Sequence, residues 1–129
     1  IEGLPLYRYS DKKRLTIDER LKLFIKICEA VEYAHQNLVI HRDLKPSNIL
    51  VANDKTPRLL DFGIAKLLNP ELASDTLQPT ATAMRMMTID YASPEQINGE
   101  KVTYSTDIYS LGVILFELLT GHRPYRFAN

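Results

Sequence analysis

His41-Arg42-Asp43-Leu44-Lys45-Pro46-Ser47-Asn48 sets a carboxylate, a carboxamide and two cations beside a histidine within eight residues. Asp61-Phe62-Gly63 adds a second carboxylate thirteen residues after Asn48. Few polar groups of these types gather so densely without a task, and both runs sit among short apolar pieces. Leu38-Val39-Ile40 precedes the first, and Ile49-Leu50-Val51 follows it. Arg58-Leu59-Leu60 leads into the second, and Asn53-Asp54-Lys55 between the last two pieces predicts a hairpin turn.

Outward from this centre the chain reads as helix. Thr16-Ile17-Asp18-Glu19 is a capping box, with Thr16 as the cap and Glu19 reaching back. Ile17, Leu21, Phe24, Ile25, Cys28, Val31 and His35 follow at helical spacing and predict one amphipathic helix to about Gln36. A second helix is predicted from Tyr104 or Ser105 to Gly121, a natural C-cap residue. Its Ile108, Leu111, Val113, Ile114, Leu115, Phe116, Leu118 and Leu119 cover most of the circumference, which predicts a central, buried element. Residues 67–90 carry neither period and read as an exposed loop of the length usually kept for function. The first fifteen residues, Ile1 to Leu15, are mixed and weakly patterned. The expected class is α+β, mainly α-helical.

Composition narrows the functional classes. The 129 residues hold 16 Lys+Arg against 16 Asp+Glu, 45% hydrophobic residues and one cysteine. Apolar content of this order excludes a disordered chain. Without a basic excess, a general nucleic-acid or anionic-membrane binder is not expected. Lone Cys28 excludes an internal disulfide framework and suits a reducing, cytoplasmic setting. The longest strictly apolar run, Val113-Ile114-Leu115-Phe116, is too short for a membrane span. The chain opens on Ile1 rather than Met, so it reads as cut from something longer.

Phosphoryl transfer from a nucleoside triphosphate needs little covalent work from a protein. It needs a divalent cation clamped to the phosphates, a carboxylate to orient the acceptor hydroxyl, and cations against developing charge. Mg²⁺ takes hard oxygen ligands from few protein groups. On this reasoning Asp43 is the candidate base, Asn48 and Asp61 the metal ligands, and Lys45 the phosphate contact.

The same residues carry a resemblance. The run His41 to Asn48 is similar to H-R-D-L-K-P-x-N of eukaryotic-type protein kinases, above all the bacterial serine/threonine kinases, at all seven specified positions. Chance agreement there is on the order of one in a billion for evenly drawn residues. Asp61-Phe62-Gly63 looks like the family's D-F-G at the family's spacing. Ala92-Ser93-Pro94-Glu95 resembles its A-P-E, with Ser93 in place of Ala. Asp107-Ile108-Tyr109-Ser110-Leu111-Gly112 resembles the opening of its buried central helix. The resemblance covers essentially the whole chain. It implies the carboxy-terminal lobe, from the end of the hinge between lobes through the central helix, with short β-hairpins carrying the catalytic and D-F-G loops.

The resemblance also implies a reaction and a role for each matching residue. The reaction is transfer of the γ-phosphate of ATP, with Mg²⁺ or Mn²⁺, to Ser or Thr hydroxyls of a protein substrate; Lys45 marks the serine/threonine type. Leu50 is the floor under adenine, and the Ile1 backbone the hinge contact. Asp107 holds the catalytic loop through its backbone amides, and His41, Phe62 and Gly63 are structural. Arg42 pairs with a phosphorylated loop residue, and Lys66 joins the same pocket. Thr80 and Thr82 are the leading phosphosites, ahead of Ser74 and Thr76. Thr88 supports the catalytic Asp, although Met87 replaces the glycine usual before it. Glu95 closes the segment, and its usual arginine partner lies outside this chain, which leaves it unpaired. His35, His122 and Cys28 read as packing residues, and Met84, Met86 and Met87 as loop packing.

The five glycines stand at 3, 63, 99, 112 and 121, so there is no G-x-G-x-x-G, and no V-A-I-K lysine is present. The lysine and its glutamate partner must both be in place for an active kinase. The amino-terminal lobe and the last helices of the carboxy-terminal lobe are thus expected to be missing, and these 129 residues alone are expected to be inactive. They are also expected to self-associate through exposed apolar surface. The alternative readings are a pseudokinase or regulatory binding module, a small-molecule kinase of the antibiotic-phosphotransferase type, and a structural helical protein. Survival of Asp43, Asn48 and Asp61 argues against the first, the Leu44-Lys45-Pro46 and Ser93-Pro94-Glu95 runs against the second, and the polar run 41–48 against the third.

Overall fold

The computed structural model describes residues 3–61 and 89–124. Strand β1 (Leu4–Pro5) runs straight into helix α1 (Leu6–Lys12), and α2 spans Ile17–Gln36. A 3₁₀ turn at Pro46–Asn48 leads into β2 (Ile49–Val51), which turns back as β3 (Pro57–Leu59). A second 3₁₀ turn at Ile89–Tyr91 precedes α3 (Pro94–Ile97) and α4 (Tyr104–Thr120). The architecture is mainly helical with one small three-stranded antiparallel sheet, in the order β1-β2-β3.

The hairpin forms where the sequence places it, with Ile49 opposite Leu59 and Val51 opposite Pro57. Its turn closes through Lys55 N–H to the Ala52 carbonyl at 2.9 Å. Strand β1 adds to the other edge of β2, with Pro5 opposite Leu50. Gly3 has to be a glycine for this approach, since a Cβ there would stand 3.1 Å from the Val51 carbonyl oxygen.

Helix α2 begins at its capping box. Glu19 N–H donates to Thr16 Oγ1 at 3.2 Å, and Thr16 N–H returns to Glu19 Oε1 at 3.0 Å. That backbone bond holds the Glu19 carboxyl below its ordinary range. Helix α4 ends as predicted at Gly121, whose φ of 83° is the left-handed cap geometry that glycine adopts without steric cost. Helices α2 and α4 run antiparallel, for Arg20 reaches the Leu118 carbonyl at 3.2 Å while His35 meets Asp107.

The structure sharpens three readings of the sequence. Residues 1–15 are weakly patterned, yet Leu4–Lys12 is strand and helix. Its order comes from distant contacts: Leu6 is fully buried, and the Arg20 guanidinium donates to the Ser10 carbonyl at 3.5 Å and to Asp11 Oδ1 at 3.4 Å. The apolar stripe predicted for α2 is its core face only in part. Val31 is buried, and Phe24 and Cys28 pack against the core, whereas Ile17 and Ile25 are 62% and 56% exposed. Leu23, Ile27 and Ala34 complete the buried row. Helix α4 is likewise one-sided among the described residues. Leu111, Val113, Ile114 and Leu118 lie in the core, but Ile108 is 58% exposed, and Phe116 and Leu119 face outward with it. The core joins these α4 residues to Leu6, Leu23, Ile27, Val31, Leu44, Ile49, Val51 and Tyr91.

Candidate active site

The polar run 41–48 wraps over the N-terminal end of α4, where a buried carboxylate organises it. Asp107, 1% exposed in the first turn of α4, accepts from the backbone N–H of His41 at 2.8 Å and of Arg42 at 3.0 Å. His35 Nε2 reaches the same carboxylate at 2.7 Å. A buried carboxylate is tolerable only when so fully hydrogen-bonded. Arg42 takes a left-handed φ of 76°, a conformation costing a non-glycine residue about 1–3 kcal/mol that the surrounding bonds must hold.

The buried His41 ring ties three segments together. Its Nε2–H donates to the Leu60 carbonyl at 2.7 Å, and Nδ1 accepts from Asp43 N–H at 3.1 Å. That pairing requires the neutral ring with its proton on Nε2, and burial accordingly pushes the His41 pKa below its ordinary value. Leu44, 1% exposed, anchors the run in the core between Asp43 and Lys45.

Asp43 stands half-exposed at the head of the site, with Lys45 Nζ 3.7 Å from its Oδ2. Asn48 is buried, and its Nδ2–H₂ donates to the Asp43 carbonyl at 2.8 Å and to Asp43 Oδ2 at 3.2 Å. Both donors face Asp43, which orients the remaining amide oxygen of Asn48 away from it. Asp61 arrives by way of the hairpin. Leu60 N–H donates to the Asn48 carbonyl at 2.8 Å, so Asp61 begins one residue beyond a direct bond to Asn48. Asp61 is exposed and takes a left-handed φ of 51°. Leu50, half-buried in β2, lies beside Gly3 and Pro5.

A carboxylate from Asp61 and an amide oxygen from Asn48 are hard donors of the kind Mg²⁺ takes. Two protein donors of this kind suit a cation that completes its shell with phosphate and water.

Helix α3 closes the site from the other side. Ser93, fully buried, caps it in a box with Gln96: Ser93 N–H donates to Gln96 Oε1 at 3.0 Å, and Gln96 N–H to Ser93 Oγ at 3.4 Å. Gln96 Nε2–H₂ donates onward to the Arg42 carbonyl at 2.6 Å. The departure to Ser93 thus has a physical reason, since alanine could not cap. Glu95, expected to lack a partner, accepts instead from Thr106 Oγ1 of α4 at 3.0 Å. Its carboxyl is held below the ordinary range, first by its own backbone N–H and then by Ser93.

Nearby, the Tyr91 hydroxyl donates to Glu117 Oε1, and Ser110 Oγ donates to the Tyr91 carbonyl at 2.7 Å. A cavity of about 370 Å³ opens there, lined in part by Tyr7, Lys45, Ser47, Tyr91 and Glu117.

The structure thus gathers His41, Arg42, Asp43, Asn48 and Asp107 into one hydrogen-bonded unit, with Lys45 ion-paired to Asp43 and Glu95 bonded to the helix that carries Asp107. Ile1, Phe62, Gly63, Lys66, Ser74, Thr76, Thr80, Thr82 and Thr88 lie outside the described residues, as do Met84, Met86, Met87 and the predicted loop as far as residue 88. Sequence reasoning missed Gln96 and the role of His35, which reads from its spacing as a packing residue. Gln96 had a signal, because Ser93-Pro94-Glu95-Gln96 has the S-x-x-Q spacing of a capping box. His35 had none, because its partner is 72 residues away.

Comparison with known proteins gives the family. A family model described as the protein kinase domain matches residues 3–129. The chain is 41% identical over 126 residues to the probable serine/threonine-protein kinase PknB of Lactococcus lactis, covering 97% of this chain and 19% of that protein. It is 40% identical over 126 residues to the serine/threonine-protein kinase PrkC of Bacillus subtilis, covering 97% and 18%. PknB of Mycobacterium leprae is 38% identical over 107 residues, covering 83% and 16%. The chain therefore spans 16 to 19% of the length of these relatives. Its motifs, their assembly into one site and the match over residues 3–129 make this chain a member of the protein kinase domain family.

Proposed function

We propose that the protein carrying this chain is a serine/threonine protein kinase, a transferase moving the γ-phosphoryl group of ATP to Ser or Thr hydroxyls of protein substrates. The supporting observation is the pinned set Asp43, Lys45 and Asn48, with Asp61 delivered beside Asn48 by the hairpin. In this reading the acceptor oxygen forms its bond to the γ-phosphorus as the bond to ADP breaks, and the hydroxyl proton passes to the Asp43 carboxylate. Asn48 orients Asp43, and Lys45 sets a cation at the same carboxylate, placed to meet charge on the transferring group. Asn48 and Asp61 would hold Mg²⁺, which would supply charge neutralisation of the phosphates.

The names of the relatives support the serine/threonine class, and family membership supports ATP with a divalent cation. The resemblance supports assignment to the carboxy-terminal lobe, with Leu50 beneath adenine and Arg42 facing a phosphorylated loop residue. Lone Cys28 supports the cytoplasm as compartment for this segment, with any membrane anchor of the parent protein lying outside it. The exposed Ile17, Ile25 and Ile108 support self-association of residues 1–129 when isolated; sedimentation as a monomer at every concentration would overturn that point.

The full-length protein, given labelled ATP, Mg²⁺ and a generic protein substrate, is expected to label Ser and Thr. Asp43→Ala should abolish labelling while leaving the melting temperature close to wild type, because Asp43 is half-exposed. Labelling that survives Asp43→Ala, or falls on Tyr, would overturn the proposal. Residues 1–129 alone, without a Gly-rich loop or V-A-I-K lysine, should label nothing.

A further inference from the structure

We infer that Gln96 is a positioning residue for Asp43, acting through the peptide that joins Arg42 to Asp43; the inference rests on the phosphoryl-transfer reading above. Arg42 has a left-handed φ of 76°, so its backbone must be restrained from both sides. On one side its N–H is held by Asp107 Oδ1 at 3.0 Å. On the other, the next peptide is held at both ends. Its N–H, belonging to Asp43, donates to His41 Nδ1 at 3.1 Å, and its carbonyl, belonging to Arg42, accepts from Gln96 Nε2 at 2.6 Å. The last bond comes from α3, 54 residues away, and fixes the plane of the peptide from which Asp43 projects.

Only an amide of this length can serve. Gln96 Oε1 accepts from Ser93 N–H at 3.0 Å to cap α3, while Nε2–H₂ of the same group donates to Arg42. The two bonds also settle the orientation of the amide, since one partner is a donor and the other an acceptor. Glutamate at this position keeps the capping acceptor but turns a second oxygen toward the Arg42 carbonyl. Methionine keeps the shape and loses both bonds. The two substitutions therefore separate the cap from the clamp.

The test compares the full-length protein with Gln96→Glu and Gln96→Met. It reads phosphate transfer from ATP to dephosphorylated casein, amide hydrogen exchange over residues 41–48, and the melting temperature. Gln96→Glu should melt close to wild type, exchange faster at Arg42 and Asp43, and lose about tenfold or more in kcat with KM for ATP within about twofold, the range typical of groups that orient a reacting residue. Gln96→Met should show the same kinetic loss together with a lower melting temperature. Wild-type kcat and wild-type exchange in Gln96→Glu would overturn the inference. So would kcat, KM and melting temperature falling together, or both variants failing to fold, since Gln96 would then be merely structural. An inactive wild-type protein overturns the proposed function instead, and the exchange comparison still decides whether Gln96 holds the Arg42–Asp43 peptide.

Discussion

His35 Nε2 and Asp107 Oδ2 meet at 2.7 Å across 72 residues of sequence, joining the last turn of α2 to the first turn of α4. The same Asp107 oxygen accepts from the His41 amide, so the helix contact and the catalytic-loop contact share one atom. His35→Leu leaves Asp107 with its two amide donors and one missing partner. The expected loss is about 1–3 kcal/mol, the range for an unsatisfied buried polar group. Urea unfolding of the full-length protein checks this, with His35→Gln, which restores an N–H donor, expected to recover part of the loss. A His35→Leu midpoint equal to wild type would show that the contact contributes nothing.

The bonds of His41 give the site an acid limit. Its Nδ1 must stay unprotonated to accept from Asp43 N–H, and burial lowers its pKa below the ordinary 6.5. The unfolded chain therefore takes up this proton at a higher pH than the folded one. Stability from His41 is complete above 6.5 and declines as pH falls from there through the lower folded value. Melting temperature should be level above neutrality and begin to drop below about 6.5. His41→Asn, which keeps a donor and an acceptor but does not titrate, should lower the plateau and flatten that limb. An NMR titration placing the His41 ring at or above 6.5 would refute the assignment.

Helix ends were legible because their signals are local. Thr16 with Glu19, and Gly121 after the last apolar turn, mark their boundaries without reference to the rest of the fold. The hairpin was legible for the same reason, in the Asn53-Asp54-Lys55 turn. The site residues were readable as a linear run because one loop carries most of them. Helix α1 was not legible. It has seven residues, Pro5 at its N-cap gives no side-chain bond, and its order depends on Arg20 and the core. Which apolar residues of α2 would be buried was legible only in part, because Leu21 and Leu23 are alike in kind and the positions of β3 and α4 decide between them. The ties of His35 and Gln96 to the loop depend on tertiary neighbours, which spacing within a helix does not report.

The local signals should carry local energies. Thr16→Ala removes the acceptor for Glu19 N–H and should cost about 1 kcal/mol. Gly121→Ala has open space around the new Cβ, so any cost there comes from the positive φ alone and should also be about 1 kcal/mol. Chemical denaturation of each variant measures both. A neutral Gly121→Ala would mean that the helix can end without the left-handed turn.

Tyr91 offers a spectroscopic test of the site's far wall. Its hydroxyl donates to Glu117, and Arg123 Nε lies 3.9 Å from the other oxygen of that carboxylate. Burial, then the bond to Glu117, raises the Tyr91 pKa above the ordinary 10.0, and burial does the same for Tyr7. The folded chain therefore keeps both protons where the unfolded chain loses them. Stability from these groups is complete below 10.0 and declines as pH rises through the folded values. In an alkaline absorbance titration, Tyr7 and Tyr91 should stay silent near 10 and ionise only as the chain unfolds. Tyr91→Phe should then leave the tyrosinate signal near 10 unchanged. The same variant should cost about 1.5–3 kcal/mol, since it removes a hydrogen bond to a charged group. A tyrosinate signal near 10 that drops by one residue in Tyr91→Phe would show that the hydroxyl is free in solution, not committed to Glu117.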